Sequence, residues 1–430
     1  MLSMMLLIVL WRGYRMIYNE TRYNSHWNTK KLSELGTFAR GKSKHRPRDD
    51  ERLYEGGGYP LIQTGEVKAA NLYITSHEQE YGEFGLAQSK LWDAGTLCIT
   101  IAANIAETAI LGYPMCFPDS VVGFSAFPSE SSEKFMHYVF TYIRNSIQNS
   151  VTGSIQDNIN IDYLSQLDFK VPPKSYQDKV VGVLGTIDEK IDTNTRICTE
   201  LETMAKTLYD YWFTQFDFPN AEGKPYRSSG GEMVWNYQLK RKIPKGWSAG
   251  QLSDIANITM GQSPSGDTYN ENGSGTIFYQ GCTDFGTRFP VPRVYTSAPT
   301  RFAKAGDILM SVRAPVGTLN IAMEDCCIGR GLAALNSKFG SQLHLLYTLS
   351  GFKQLFDVMD GNGTTFGSIT KDTLFEMKVV IPRRDQIKSF EEMVQPIEQK
   401  IRVAEQENRE LTKLRDWLLP VLMNGQATVE

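Results

Sequence analysis

The side chains best suited to chemistry in this sequence are basic and polar residues that together could bind nucleic acid. Basic residues alternate with small or polar ones from Arg40 to Arg46, and polar runs begin at Gln63 and Gln280. Arginine binds phosphate or pairs with guanine, and glutamine and threonine can contact base edges. Because the acidic run 49–51 follows the first cluster, a solvated loop is the competing interpretation there. The candidate DNA-binding residues are Arg40, Lys42, Lys44, Arg46, Gln63, Thr64, Gln280, Thr283, Arg288, Arg313 and Arg330.

Sequence patterns for catalysis are missing from the chain. It contains no phosphate-binding G-x-x-x-x-G-K-[ST] loop, no glycine-rich dinucleotide turn, no G-x-S-x-G elbow and no H-E-x-x-H pair. The five histidines and six cysteines show neither metal-ligand nor triad spacing. We therefore predict no catalytic residue, no metal site and no cofactor bound by this chain.

Composition indicates a globular protein of several domains. The chain has 430 residues, of which 41% are hydrophobic and 22% charged, and its formal net charge is -3. A nucleic-acid surface must then come from local basic clusters, because the chain as a whole carries no positive field. Cysteines without disulfide or zinc spacing fit a reducing compartment, and the apolar run 1–11 is too short to span a bilayer. We predict a cytoplasmic protein with no membrane partner.

An internal repeat organises the chain. The segment from Ile159 to Pro172 matches the segment from Ile369 to Pro382, and the spacing of 210 residues then holds without a gap to Trp212. Short β-prone runs and a polar, glycine-rich connector surround the repeated helical segments. The repeat predicts two α+β modules with a common scaffold and different loops, and neutral drift of duplicated structural domains is the alternative.

Apolar residues inside the repeated helices follow heptad spacing, which is typical of a coiled coil. The cheapest partner for each helix is the other copy, so we predict an antiparallel intramolecular pair that Arg415 interrupts. Amphipathic helices packed only on their own domains are the alternative. The predicted contact and partner-interface residues, called the seam below, are Ile187, Ile191, Asn194, Leu201, Leu208, Ile397, Ile401, Asn408, Leu411 and Leu418.

Six segments carry a resemblance to a known family. They are Ile187–Ile191, Ala205–Phe213, Phe216–Pro219, Ile243–Trp247, Ser311–Gly317 and Leu414–Gly425. On these segments, and over nearly everything from about Lys30 to Gly425, the chain resembles the specificity (S) subunit of type I restriction-modification systems.

The resemblance implies two target-recognition domains joined by two long helices that form an antiparallel coiled coil. Each domain would read one half of a bipartite site in double-stranded DNA, and the helices would set the gap and dock two methyltransferase (M) subunits. The S subunit itself would catalyse nothing. The M subunits would bind S-adenosylmethionine and methylate adenine N6. ATP and Mg would likewise be bound by partner subunits, with the ATP-driven step on the restriction (R) subunits. A helix from Ile187 to Leu208 is about 31 Å long, close to about nine base pairs.

Domain boundaries follow from the repeat and the resemblance. One departure is that Arg313 aligns with Ala102, so a DNA role for Arg313 has no counterpart in the first copy. The predicted divisions are an N-terminal tail 1–28, target-recognition domain 1 at 29–175, a helical spacer at 176–216, a connector at 217–246, target-recognition domain 2 at 247–384, a second helical spacer at 385–425 and a tail at 426–430.

Two other functions remain open at this point. A coiled-coil assembly protein without sequence-specific DNA binding would show DNA affinity that is absent or insensitive to salt. A stand-alone methyltransferase-nuclease would bind S-adenosylmethionine by itself, although the chain has no motif for it. The sequence names neither the recognised bases nor the gap between them.

Overall fold

The computed structural model describes residues 19–152, 159–361 and 368–429. Its contacts divide the chain into two compact units. Unit 1 comprises the described residues up to Thr193 together with those from Glu407 onwards, and unit 2 is Asn194–Gln406. Both divisions fall inside long helices, so each unit includes helical turns that the sequence assigned to a spacer. Most of the predicted tail 1–28 lies outside the described residues.

Unit 1 contains three sheets. The largest has the strand order β2-β10-β7-β8-β4, a second has the order β5-β3-β9-β6, and β1 pairs with β11. The strands are β1 Asn28–Lys31, β2 Gly36–Arg40, β3 Tyr59–Leu61, β4 Tyr73–Ile74, β5 Gln79–Tyr81, β6 Leu91–Trp92, β7 Leu97–Thr100, β8 Thr108–Leu111, β9 Met115–Cys116, β10 Val121–Ala126 and β11 Asp168–Val171.

The core of unit 1 forms between the central strands and a helix. Strand β7 is buried along its whole length because both of its neighbours pair with it, and Gly123 of β10 lies so close to Trp92 that a Cβ would come within 2.6 Å of its ring. The helix Glu133–Thr152 packs Tyr138 and Phe140 into a separate cluster with Leu97 and Ile99 of β7, whereas Trp92 clusters with Cys98. The remaining short helices are Leu32–Leu35, Glu51–Leu53, Thr64–Ala69, Glu83–Gln88 and Ile161–Gln166.

Unit 2 repeats this architecture. Its sheets have the orders β15-β23-β20-β21, β16-β18-β17-β22-β19, β14-β24 and β12-β13. The strands are β12 Met233–Asn236, β13 Arg241–Pro244, β14 Ser248–Gln251, β15 Ala256–Met260, β16 Tyr269–Asn270, β17 Thr276–Tyr279, β18 Tyr295–Thr296, β19 Phe302–Ala303, β20 Ile308–Ser311, β21 Leu319–Ile321, β22 Cys326–Ile328, β23 Leu332–Ser337 and β24 Lys378–Ile381.

The two units share the arrangement of strands around one parallel pair, although unit 1 has a second parallel pair, β4 with β8, without a counterpart among the described strands of unit 2. Strands β3 and β9 are parallel in unit 1, as are β17 and β22 in unit 2, and in each case an antiparallel strand, β6 or β19, flanks the second member. The predicted duplication of an α+β scaffold is therefore confirmed. The other helices of unit 2 are Leu252–Ile255, Gly266–Thr268, Cys282–Asp284, Gln342–Gly361 and Lys371–Phe375.

The first long helix is Lys174–Tyr209, which continues as a π-helical turn at Asp210–Thr214, and the second is Arg384–Met423. Within unit 1, Asn408 Nδ2 of the second helix donates a hydrogen bond to the Ile191 carbonyl of the first at 3.4 Å. Within unit 2, the Cys198 thiol lies 3.8 Å from the Ile401 carbonyl. Also within unit 1, Asp188 of the first helix pairs with Arg415 of the second. Partner numbers in unit 1 thus fall along one helix as they rise along the other, so the two helices run antiparallel there, as predicted.

The predicted connector is part of a core and not a loose linker. Phe218 stacks between Tyr226 and Trp247, with ring centroids 4.7 and 5.2 Å away. Phe216 is also buried against Trp247, at 5.5 Å. The aromatic residues, which the glycine- and lysine-rich composition of this segment obscures, tie it to unit 2.

Candidate nucleic-acid interface

A polar cavity of about 270 Å³ opens on the surface of unit 2. Four residues that the sequence singled out for DNA contact line it together, although they lie up to 50 positions apart in the chain. We call it the arginine cavity. Its lining residues are Ser263, Gln280, Gly281, Cys282, Thr283, Asp284, Arg293, Ser311, Arg313, Ala314, Arg330 and Gly331.

Backbone hydrogen bonds bring three chain segments together at this cavity. Gly331 N–H donates to the Gln280 carbonyl at 3.2 Å, immediately after β17 ends. Val312 N–H donates to the Gly331 carbonyl at 2.9 Å, immediately after β20 ends. The side chains of Gln280, Arg313 and Arg330 therefore project from strand ends that the sheets hold in place, which is a preorganised arrangement for binding.

The three arginines of the cavity differ in their partners. Arg293 is committed to carboxylates, with Nε 2.8 Å from Asp284 and Nη1 3.2 Å from Glu271. The guanidinium groups of Arg313 and Arg330 are exposed and make no ion pair within the described part of the chain. The cavity thus presents two uncompensated positive charges to solvent, beside the amide of Gln280.

The matching place in unit 1 has a different charge pattern. Arg48 contacts Asp119 at 2.6 Å and Arg46 approaches the same carboxylate at 3.9 Å. Arg40 Nε donates to the Asp119 carbonyl at 3.0 Å. The basic cluster is therefore partly neutralised at its carboxyl-terminal side, whereas Lys42 is exposed.

Gln63 and Thr64 lie at the start of the helix Thr64–Ala69. Gln63 is the capping residue, and its backbone N–H donates to Glu66 at 3.0 Å. The loop is positioned by a hydrogen bond of 3.0 Å from Ile62 N–H to the Cys116 carbonyl, while Lys42 N–H reaches the next carbonyl, of Phe117, at 3.2 Å. Basic and polar segments thus meet beside the end of β9, as they do beside β22 in unit 2.

Comparison with protein families decides what these duplicated units are. The model of the type I restriction modification DNA specificity domain matches residues 24–203 and again residues 244–413. The chain belongs to this family. The first specificity domain supplies most of unit 1, and the second supplies most of unit 2.

Relatives of the specificity domains are similar over much of the chain. The putative type I restriction enzyme MjaX specificity subunit of Methanocaldococcus jannaschii is 31% identical over 296 residues, which are 68% of this chain and 65% of that relative. The match thus covers slightly less than two thirds of that relative. The type I restriction enzyme MjaIX specificity subunit of the same organism is 25% identical over 426 residues, 94% of each chain.

A solved structure has the same fold. The crystal structure of the S subunit of a type I restriction-modification system from M. genitalium superimposes with a TM-score of 0.55 and 15% identity, covering 95% of this chain and 99% of that chain. In the parts of the specificity protein that the structure describes, no helix has both the length and the apolar character needed to cross a membrane.

One predicted DNA contact is corrected by the structure. Arg288 is only 7% exposed and lies inside unit 2, where it pairs with Glu398 and, at 3.3 Å, with Glu202. Its guanidinium also lies 5.8 Å from the ring centre of Tyr347. Because DNA cannot reach a buried, paired guanidinium, Arg288 is removed from the set of candidate contacts. No pattern in the chain indicated that distant carboxylates on both long helices would enclose it.

The other candidate contacts are at or near the surface and stay predictions. Lys44, Arg46, Gln280 and Thr283 are exposed, and Gln63 and Thr64 are partly exposed. The Lys44 N–H donates to the Gln88 carbonyl at 3.2 Å. This hydrogen bond anchors the same segment that the Lys42 N–H anchors at Phe117.

Every residue of the predicted seam is buried or partly buried. The helical spacing therefore identified the inward faces of both long helices. Docking of partner subunits on these residues stays a prediction, since their side chains face the protein interior. The buried residues are Ile187, Asn194 and Ile401, and the partly buried ones are Ile191, Leu201, Leu208, Ile397, Asn408, Leu411 and Leu418.

A buried polar cluster in unit 1 was not among the predicted sites. Asp188, which is 2% exposed, accepts a hydrogen bond from the Tyr138 hydroxyl at 2.7 Å and pairs with Arg415 at 3.0 Å. Arg415 also donates to Asn71 at 2.9 Å. The interruption that Arg415 makes in the heptad pattern was the available signal, because a charged residue in an apolar stripe needs a buried partner.

The environment of this cluster also suppresses ionisation nearby. Burial, together with the positive charges of Arg144 and Arg415, lowers the pKa of His137 to about 3, so the imidazole is neutral near pH 7. Its Nδ1 lies 3.0 Å from the Thr108 hydroxyl. The equally buried His344 of the second domain has its pKa lowered to about 4 by desolvation. These histidines belong to the core and stabilise the fold in their neutral form.

Proposed function

We propose that this protein is the DNA sequence-specificity subunit of a type I restriction-modification complex. Each specificity domain reads one half of a bipartite site in double-stranded DNA. The antiparallel helices set the gap between the halves and dock two methyltransferase subunits. The single observation that carries the proposal is the presence of two DNA specificity domains, at 24–203 and 244–413, in one chain.

The cavity and its counterpart support direct reading of DNA. Arg313 and Arg330 present side-chain hydrogen-bond donors that have no acceptor among the described residues, and Gln280 adds an amide that both donates and accepts. In the first domain, Lys42 is exposed, and its N–H donates to the Phe117 carbonyl, next to the Cys116 carbonyl that holds the residue before Gln63. A duplex needs such groups both on its phosphates, for positioning, and on its base edges, for specificity.

The chemistry is proposed to belong to partner subunits. The specificity subunit alone catalyses nothing, binds no cofactor and confers its target on an adenine-N6 methyltransferase and ATP-dependent endonuclease. S-adenosylmethionine, ATP and Mg are then bound by the M and R subunits. Such a complex works on chromosomal DNA, so we place the protein in the cytoplasm.

Co-expression with the neighbouring methyltransferase gene in a methylation-free host tests the proposal. Genome-wide mapping of N6-methyladenine is expected to give a split motif with a fixed unspecified gap. Exchanging residues 29–175 for those of a relative with another target is expected to change one half of the motif only. The unaltered full-length relative that donates the segment serves as the control.

Two results would contradict the proposal. A stable complex with the methyltransferase that produces no new methylation, and whose DNA binding does not weaken with salt, would favour an assembly protein without sequence-specific binding, because phosphate contacts release counterions. Binding of S-adenosylmethionine by the isolated chain would instead favour an enzyme that acts alone.

A further inference from the structure

We infer that the arginine cavity of the second specificity domain reads guanine, with Arg313 and Arg330 each pairing with a guanine of its own, and that the first domain does not read guanine at the equivalent place. The inference rests on the proposed function and adds to it the base and the residues. It predicts two G·C pairs, one for each arginine, in the half-site of the second domain.

Both guanidinium groups are available for contact with DNA. Arg313 and Arg330 are exposed, and neither is paired with a carboxylate among the described residues, whereas the third arginine of the cavity, Arg293, is held by Asp284 and Glu271. Burying an uncompensated arginine against DNA is favourable only if acceptors meet it there. The O6 and N7 atoms of guanine match the guanidinium fork, and this pairing is the commonest specific contact in the major groove.

A base pair and a phosphate differ in the hydrogen-bonding groups that they offer to the cavity. A phosphate offers only acceptors, so a phosphate site needs only donors. The cavity also contains acceptors, namely the side-chain oxygens of Gln280 and Thr283, whereas the Asp284 carboxylate is held by Arg293 at 2.8 Å. A base pair presents donors and acceptors side by side, and a mixed lining fits that pattern.

The first domain differs from the second at this place, and equivalent backbone hydrogen bonds show which residues correspond. Val312 N–H donates to the Gly331 carbonyl at 2.9 Å in the second domain, and Ile101 N–H donates to the Ser120 carbonyl at 3.0 Å in the first. Val312 and Ile101 also accept equivalent hydrogen bonds, from Ile369 at 2.8 Å and from Ile159 at 3.1 Å.

Two substitutions follow from this alignment. Ala102, one residue after Ile101, stands in the place of Arg313, and Asp119, one residue before Ser120, stands in the place of Arg330. Asp119 is in turn engaged by Arg48 at 2.6 Å. The same frame therefore presents two free cations in one domain and a paired carboxylate in the other, which is a difference in ligand preference and not in fold.

The test uses the complete complex with its methyltransferase. Once the methylation motif is known, complexes carrying Arg313→Gln, Arg313→Lys, Arg330→Gln or Arg330→Lys are compared with wild type on duplexes altered at one base pair at a time. Each glutamine variant is expected to weaken binding of the cognate duplex by about 5- to 150-fold and to relax one G·C position in one half-site only. The lysine variants should behave similarly, because an ammonium lacks the planar fork.

A modified base gives a second readout. Replacing one guanine by 7-deazaguanine removes its N7 acceptor, so the loss for wild type should resemble that of the variants of the arginine that pairs with it, and the two losses should not add. Arg301→Gln, at an exposed arginine of the same domain outside the cavity, is the matched control and should keep wild-type affinity and motif.

Three results would overturn the inference. The motif could contain no G·C pair that responds to these variants. Alternatively, the glutamine variants could weaken all duplexes equally, with the lysine variants near wild type and a salt dependence reduced by about one charge, which would identify phosphate contacts. If wild-type complex methylates nothing, the proposed function fails and the inference fails with it, whereas a normal motif that lacks guanine dependence removes the inference alone.

Discussion

Replacing Arg288 by methionine is expected to destabilise the second specificity domain strongly. The side chain is 7% exposed and is the cation for Glu398, itself 9% exposed, and for Glu202 at 3.3 Å. Removing one partner of a buried ion pair leaves the other charge without compensation and costs about 3 to 5 kcal/mol. Local opening around these residues should then rise by about two to three and a half orders of magnitude.

Hydrogen exchange measures this effect better than a single unfolding midpoint, because a chain with two units need not unfold in one step. Backbone amides of the second long helix around Glu398 should lose protection, while amides of strand β10 in unit 1 provide an internal reference. Arg301→Met removes an exposed arginine of the same unit and should change exchange by about 0.5 kcal/mol or less.

The loss of stability caused by Arg288→Met should depend on pH. Desolvation already raises the pKa of Glu202, and Arg288 opposes that rise. Without Arg288 the carboxyl pKa should rise further, so the folded state binds protons more tightly than the unfolded state and loses stability as the pH increases. The deficit of Arg288→Met should therefore be smaller at pH 5 than at pH 8.

A double variant completes the experiment. Arg288→Met combined with Glu398→Met removes both charges and should recover at least half of the lost stability, because apolar replacement of a buried pair is often neutral. A loss for Arg288→Met of less than about 1 kcal/mol, independent of pH and accompanied by weaker DNA binding, would refute this reasoning and restore Arg288 as a DNA contact.

Three further predictions concern the cores and the helices. Ile401→Ala should lower the free energy of unfolding in denaturant by about 2 to 5 kcal/mol, because Ile401 is fully buried. Val403 is 62% exposed on the same helix, so Val403→Ala should cost about 0.5 kcal/mol or less, and equal losses would argue against the contact between the long helices. Tyr138→Phe removes a hydrogen bond to buried Asp188 and should cost about 1.5 to 3 kcal/mol, and an unchanged stability would mean that Arg415 alone satisfies that carboxylate. His137→Gln should reduce the stability that the protein loses between about pH 6.5 and pH 4, because the His137 pKa of about 3 in the folded state lies below that in the unfolded state and protons favour the unfolded chain. An unchanged dependence of stability on pH would contradict the placement of a neutral His137 in the core.

Much of the fold could be predicted because it depends on periodic patterns. The spacing of 210 residues predicted the duplicated scaffold, and heptad spacing predicted which faces of the long helices turn inwards, including Asn408 and Ile401. Helical contacts recur every few residues, so a stripe of apolar side chains is sufficient to identify a buried face.

The candidate site was only partly predictable. Gln280, Thr283, Arg313 and Arg330 were chosen one by one for their chemistry, and the structure places all four around one cavity. Arg288 was chosen on the same grounds and lies in the interior. Residue type describes what a side chain can bind, but it contains no information about whether the chain covers that side chain.

The amino-acid sequence by itself determined the repeated α+β scaffold, the two long helices and the family to which the chain belongs. The tertiary structure alone decided which arginines face solvent and which are enclosed, such as Arg330 at a strand end and Arg288 between carboxylates of both long helices. The physical reason is that helices and repeats follow local patterns in the chain, whereas exposure and ion pairing depend on residues more than 80 positions apart that only the folded sheets and helices bring together.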